Sequence, residues 1–276
     1  MSLFQCTNIC KDYNEAKIIS HASLKRRRGK IFFLHSKKNL EIEGRYKGTP
    51  VIQNVNLRLE EGEIVSLLGI SGVGKSTLMN ILAGVEIPDV GHVILEGEDI
   101  TGKAGRVGYM LQKDLLLPFK TTLDNICLPL ILRGMKKTEA REKARAQMQV
   151  FGLSGSEDKY PYQLSGGMRQ RAALARTYFL GNKVILLDEP FVALDAITKS
   201  EMHSWYRNIA KQMGLSTIII THDVDEALVL SDRVYIMAGN PGKITQELKI
   251  KKENKENFAF TEQYLVYKRK VLDYIK

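Results

Sequence analysis

The chain has 276 residues, 44% apolar and 26% charged, with a formal net charge of +10. That length and balance suit one large folded domain or two small ones and exclude a low-complexity chain. No run approaches the roughly 18 apolar residues of a membrane helix, and Cys6, Cys10 and Cys127 are too sparse for a disulfide framework.

Residues 3–9 read as a short edge strand. Lys11, Asp12 and Glu15 break up the first twenty residues, so no secretory signal is expected. Cys6 and Cys10 have the spacing of half a metal site, but no second Cys or His cluster completes it. Residues 14–50 are the least regular stretch. Residues 11–50 carry eleven Lys/Arg against four acids. Such a block can meet nucleic acid or anionic lipid, or stand in water as a solvated loop, which is the simpler reading.

From Val51 the pattern becomes orderly. Val51, Val55, Leu57 and Leu59 give partial strand alternation, and Glu61-Gly62 makes a turn. Residues 64–68 form a buried-type strand ending at Gly69, and a helix runs from about 75 to 82. Residues 138–151 have the charged face of a surface helix. Residues 184–187 and 217–220 are further apolar strands, with helices expected at 197–213 and 224–230. This alternation predicts a mainly parallel α/β sheet.

Gly69-Ile70-Ser71-Gly72-Val73-Gly74-Lys75-Ser76 fits G-x-x-x-x-G-K-[ST] at every fixed position, between a strand and a helix. Glycines let the backbone wrap a phosphate so that successive N–H groups point inward. The helix N-terminus adds its positive end. In this pattern Lys75 reaches the β- and γ-phosphates and the Ser76 hydroxyl ligates Mg²⁺, with Thr77 beside it on the helix. Val184 to Leu187 then lead into Asp188 and Glu189, an acidic pair at the strand edge where nucleotides sit in such sheets. Asp188 is expected in the Mg²⁺ shell. Glu189 is placed to orient or deprotonate a water in line with the γ-phosphate.

Leu164-Ser165-Gly166-Gly167-Met168-Arg169-Gln170-Arg171 resembles the LSGGQ-type signature of ABC ATPases. The resemblance implies a second phosphate-binding helix end at Ser165, Gly166 and Gly167, serving the ATP held by another copy, so that two chains sandwich two nucleotides head to tail. Gln112 resembles the Q-loop glutamine, close to Mg²⁺ and the attacking water. Ala193-Leu194-Asp195 resembles the D-loop, with Asp195 facing the opposite subunit, and His222 resembles the switch histidine on the γ-phosphate. The family also stacks adenine on an aromatic ring. Tyr13 has the right local motif but lies far before Gly69, whereas Tyr46 has the better spacing and the poorer motif.

The resemblance covers roughly 51–245 of the sequence, together with 3–13. Within the family the chain is most similar to nitrate, sulfonate and taurine importer ATPases. The stretches that carry this are 188–196, Leu116-Leu117-Pro118-Phe119 with Leu123-Asp124-Asn125, and 222–227. Ile70 stands where proline is frequent, and Phe119 where tryptophan is. The implied fold is a P-loop NTPase of the ABC nucleotide-binding type: a RecA-like α/β core, a helical subdomain and an N-terminal antiparallel β portion. The implied domain spans 1–250, with 14–50 a basic insertion, 113–180 the helical subdomain and 251–276 a helical tail. The implied cofactors are ATP and Mg²⁺. The implied partners are a second copy, separate permease subunits docking near Gln112 and residues 113–135, and an extracytoplasmic solute-binding protein. The expected place is the cytoplasmic face of the plasma membrane. The rival is an ABC-type ATPase acting on nucleic acid. The basic run at 25–30 favours it and the single cassette opposes it.

Overall fold

The computed structural model describes residues 2–13, 49–252 and 258–275. Two sheets organise them. The first begins with Phe4–Tyr13 (β1), which pairs antiparallel with Thr49–Leu59 (β2). Both strands step from one alternation register to another. Asn8 and Asn54 adopt left-handed φ angles of 53° and 49°, a conformation Asn tolerates. In β1 the pairing register shifts between Cys6 and Ile9, so Phe4, Cys6 and Ile9 all stay buried although their spacing changes from two to three. In β2 the buried set Ile52, Val55, Leu57 and Leu59 does the same across Asn54. That irregularity is why the sequence shows only partial alternation.

Ile64–Leu68 (β3) and the helix Lys75–Leu82 (α1) follow, and then Val90–Leu95 (β4) and Glu98–Asp99 (β5) return to the first sheet. Its order is β2-β1-β4-β5. The expected edge strand is therefore a correction: β1 is hydrogen-bonded on both sides, with Phe4 opposite Leu59 and Leu95. One strand's periodicity says which face is buried but not who its neighbours are.

Gly108–Met110 (β6) opens a helical block: Thr122–Ile126 (α2), Leu128–Leu132 (α3), Lys137–Met148 (α4) and Gly166–Tyr178 (α5). The charged α4 buries Ala140, Ala144 and Met148 at i, i+4 and i+8, and turns the rest to solvent. It ends three residues before the expected 151, in a turn where the Gly152 N–H donates to Gln149 O at 2.9 Å. Val184–Asp188 (β7), Ala196–Gln212 (α6), Ser216–Thr221 (β8), Val224–Leu230 (α7), Arg233–Ala238 (β9) and Lys243–Lys249 (β10) complete the core, and Glu262–Ile275 (α8) follows.

The second sheet has the order β10-β9-β3-β8-β7-β6, parallel except for β10. All five β3 residues are buried, as expected of a parallel strand covered on both faces. Register fixes what lies at its carboxyl edge. Leu68 pairs with Thr221, and Asp188 with Ile220. Gly69, Glu189 and His222, each the next residue of its chain or one beyond, therefore leave the sheet side by side. Among the described residues no helix is long and apolar enough to cross a membrane.

Candidate active site

The glycine-rich loop leaves β3 at this edge. Gly74 caps α1 in a left-handed conformation, φ 100°, and a Cβ there would run into Ile52 Cγ2. A Cβ on Gly69 would lie 2.5 Å from the Met237 carbonyl oxygen. The two glycines are thus required by close packing of the loop on β2 and β9, while Gly72, φ 82°, faces open space. Ile70, Ser71 and Gly72 are exposed, Val73 is buried as an anchor, and Ser76 and Thr77 open the helix toward solvent. The Lys75 amine donates to Gly69 O at 2.7 Å and Ile70 O at 2.9 Å, so its charge is held over the loop. Burial lowers the Lys75 pKa, and the nearby charges of Glu189 and Asp188 act to raise it.

Asp188 closes β7 and is half-buried. Burial raises its pKa, the Glu189 charge adds to the rise, and Lys75 works against it. Glu189 has a left-handed φ of 45°. For a non-glycine residue that costs on the order of 1–3 kcal/mol, and its backbone N–H is held by Ile220 O at 3.0 Å. Both carboxylate oxygens are engaged. Gln112 Nε2 donates to Oε2 at 3.2 Å, and His222 Nδ1 lies 3.1 Å from Oε1. Three residues from β6, β7 and β8 ends thereby converge on one carboxylate.

Ser165, Gly166 and Gly167 lie elsewhere. Ser165 is the N-cap of α5 and accepts from Met168 N at 3.3 Å. Cβ atoms on Gly166 and Gly167 would come within 3.3 Å of Leu194 and Thr198. Asp195 caps α6, accepting from Ile197 N and Thr198 N, both at 3.1 Å, and the Thr198 hydroxyl bond leads the causes that lower its pKa. The α5 core belongs to the cluster of the helical block, and α1 to the cluster lined by the first sheet. What Ser165 to Gly167 meet in their own chain is the 194–202 region.

Tyr13 is 40% exposed at the end of β1. Its hydroxyl donates to Glu86 at 2.7 Å, and Thr77 is a further hydrogen-bond partner. The ring thus stands beside the first turn of α1. Tyr46 lies outside the described residues, as does most of the basic stretch 14–50.

Sequence reasoning gave no structural part to three supports. Asn125 is fully buried and stitches the loop before α2: its amide donates to Leu117, Lys120 and Thr121 carbonyls at 3.0–3.1 Å, and its Oδ1 accepts Leu117 N at 2.7 Å. Arg176 of α5 donates to the Asp114 and Leu115 carbonyls, fixing the stretch that follows Gln112. Glu86 sets the direction of Tyr13. A polar Asn between Leu123 and Ile126 was a legible signal; the other two partners are distant in sequence.

The donor chemistry fits a magnesium-bound phosphate rather than a free cation. No three His, Cys, Asp or Glu cluster as a metal site among the described residues. Asp188 could supply one carboxylate, with Ser76 and Gln112 as neutral oxygen donors, and Mg²⁺ characteristically takes one or two carboxylates and completes its shell with phosphate and water. A nearby cation would also offset the cost that burial places on the Asp188 charge.

The family model for ABC transporters matches residues 52–192. A formylaminopyrimidine import ATP-binding protein of Halalkalibacterium halodurans is 40% identical over 78% of this chain and 84% of its own length. A taurine import ATP-binding protein of Pseudomonas aeruginosa is 41% identical over 77% of this chain and 81% of its own. A dimeric ATP-binding cassette in a post-hydrolysis state, bound to ADP and phosphate, matches with TM-score 0.67 and 27% identity over 90% of this chain and 99% of that one. With a phosphate-type loop, an acidic pair and a separate signature helix all in place, the chain belongs to the ABC transporter family, as one of its ATP-binding, ATP-hydrolysing cassettes.

Proposed function

We propose that the chain energises the import of a small solute through separate permease subunits, in the class served by taurine, sulfonate, nitrate and thiamine-precursor importers. The observation that carries the catalytic part is the convergence of Gln112 and His222 on the Glu189 carboxylate, beside Lys75 and Asp188. Residues 69–77 wrap the triphosphate, and Lys75 holds the β- and γ-phosphates. Ser76, Asp188 and Gln112 would hold Mg²⁺, which when bound would supply positive charge to the phosphate oxygens. Glu189 orients a water and draws its proton as the water oxygen bonds to the γ-phosphorus. The bond from that phosphorus to the β–γ bridging oxygen breaks, releasing ADP and phosphate. His222 contacts the γ-phosphate, and Tyr13 stacks on adenine.

The cassette acts as a pair. Ser165, Gly166 and Gly167 of one copy cover the ATP on residues 69–77 of the other, with Asp195 at the seam. The separation of those segments within one chain supports this reading. Residues 1–250 form the ATP-binding domain, with 14–50 inserted, 113–180 the helical subdomain and 251–276 a tail. Permease helices dock near Gln112 and 113–135, where Leu115, Phe119 and Leu132 are exposed. An extracytoplasmic binding protein presents the solute, and the chain sits on the cytoplasmic face of the plasma membrane. No nucleic-acid partner is proposed, because the relatives that the chain matches are import ATP-binding proteins. Reconstitution with the co-encoded permease in vesicles tests the reading. ATP turnover should rise when binding protein and one sulfonate-, nitrate- or pyrimidine-type solute are added, and solute should accumulate. Turnover raised by nucleic acid and by no solute would overturn it.

A further inference from the structure

His222 lies between β8 and α7, and α7 has seven residues. A helix that short has little stability of its own, and its position is set by what it packs against. From one side Lys199 of α6 donates to the N-cap Asp223 at 2.5 Å. From the other side the chain beyond residue 250 grips both ends of α7. Lys252 donates to the Val229 carbonyl at 2.7 Å near the C-terminal end. Near the N-terminal end, three residues past His222, Asp225 accepts from the Tyr264 hydroxyl and pairs with Lys268 at 2.6 Å. Tyr264 and Val271 of α8 are buried, and the Phe258 ring meets Tyr264 edge-on at 5.6 Å. These residues share one core cluster with Ala227 and Leu228 of α7 and with Leu68, the residue before Gly69.

We propose that α8 is a positioning element for the switch histidine, acting through Asp225, so that the tail helix sets how often His222 stands where the γ-phosphate needs it. This rests on the catalytic reading of His222 given above. The Lys268 pair is half-exposed and weak on its own. The constraint comes from the buried Tyr264 ring, which can direct its hydroxyl only where the α8 packing sends it. Neither tail residue reaches the nucleotide loop in any hydrogen bond described above. Their effect should therefore fall on the catalytic step and leave ATP binding alone.

The test uses the full chain and a double-mutant cycle. Tyr264→Phe combined with Lys268→Met should lower kcat about 3- to 30-fold, the span of coupling through packed elements, with KM for ATP changed less than about twofold. In a His222→Ala background the same pair should lower kcat no further, because the group it positions is gone. Asp225→Ala, which removes the acceptor and leaves both tail side chains intact, should reproduce the kcat loss and guards against a folding defect in the double variant. An unchanged kcat in the His222-containing chain would overturn the proposal, as would a loss that adds in full to that of His222→Ala. Near-normal turnover of His222→Ala alone would separately overturn the role given to that histidine, and the positioning proposal with it.

Discussion

Replacing Tyr13 by alanine removes the ring beside the first turn of α1 and leaves every residue of the phosphate loop unchanged. The backbone of Tyr13 is paired with Thr49, and its hydroxyl is bonded to Glu86 at 2.7 Å, so the ring is ordered before any base arrives. Little further entropy is then lost on stacking. Base–aromatic stacking is worth about 1–3 kcal/mol, and 1.4 kcal/mol is tenfold in affinity. Tyr13→Ala should thus raise the ATP dissociation constant about 5- to 150-fold. Tyr13→Phe keeps the ring and loses the hydroxyl's partly exposed bonds to Glu86 and Thr77, together worth about 1 kcal/mol, so its effect should stay within about fivefold. Titration of the purified chain with a fluorescent ATP analogue separates the two. A Tyr13→Ala constant within twofold of the unsubstituted chain refutes the stacking argument. A loss confined to Tyr46→Ala would move the adenine platform to that residue.

Other substitutions probe other parts of the site. Lys75→Ala should weaken ATP binding to the lone chain, since it removes the charge held over the loop. Ser165→Arg should leave that binding intact and abolish hydrolysis and nucleotide-driven dimerisation; equal losses of monomer affinity in the two variants would contradict the head-to-tail arrangement. Gly74→Ala forces a side chain into a left-handed position against Ile52 and should cost about 1–3 kcal/mol in urea unfolding, whereas a neutral result would mean the loop relaxes freely. Asp188 has a pKa raised first by burial and then by Glu189. A raised acid pKa costs stability at pH values above it, and the cost vanishes as pH falls through the unfolded value of about 4. Asp188→Asn should therefore raise the Tm of the nucleotide-free chain at pH 7, by an amount that shrinks toward pH 4; a lower Tm at pH 7 would show that its attraction to Lys75 outweighs burial.

The loop at 69–76, the acidic pair and the apolar strands at 64–68, 184–187 and 217–220 were legible because each rests on local chemistry. Glycines at fixed offsets, an apolar run ending in acids, and a Ser-Gly-Gly helix start are visible within eight residues. Neighbour relations were not. Nothing in residues 3–9 shows that β1 is flanked on both sides, since its partners start at residues 49 and 90. The shifts at Asn8 and Asn54 blurred the alternation that would have marked β1 and β2 as one sheet. The three-way meeting at Glu189 was reachable only through resemblance, because Gln112 and His222 lie 77 and 33 residues away from it. The grip of α8 on Asp225 joins residues 39 apart and left no pattern in the sequence.

The account depends most directly on Glu189 as the group that prepares the attacking water. Glu189→Gln keeps the size of the side chain and its hydrogen-bonding contact with both neighbours, and removes the base. Measured as phosphate release from Mg²⁺-ATP, turnover should fall about 10²- to 10⁴-fold, while ATP still binds and accumulates in a stable two-chain complex seen by light scattering. Turnover near that of the unsubstituted chain, with no such complex, would contradict it.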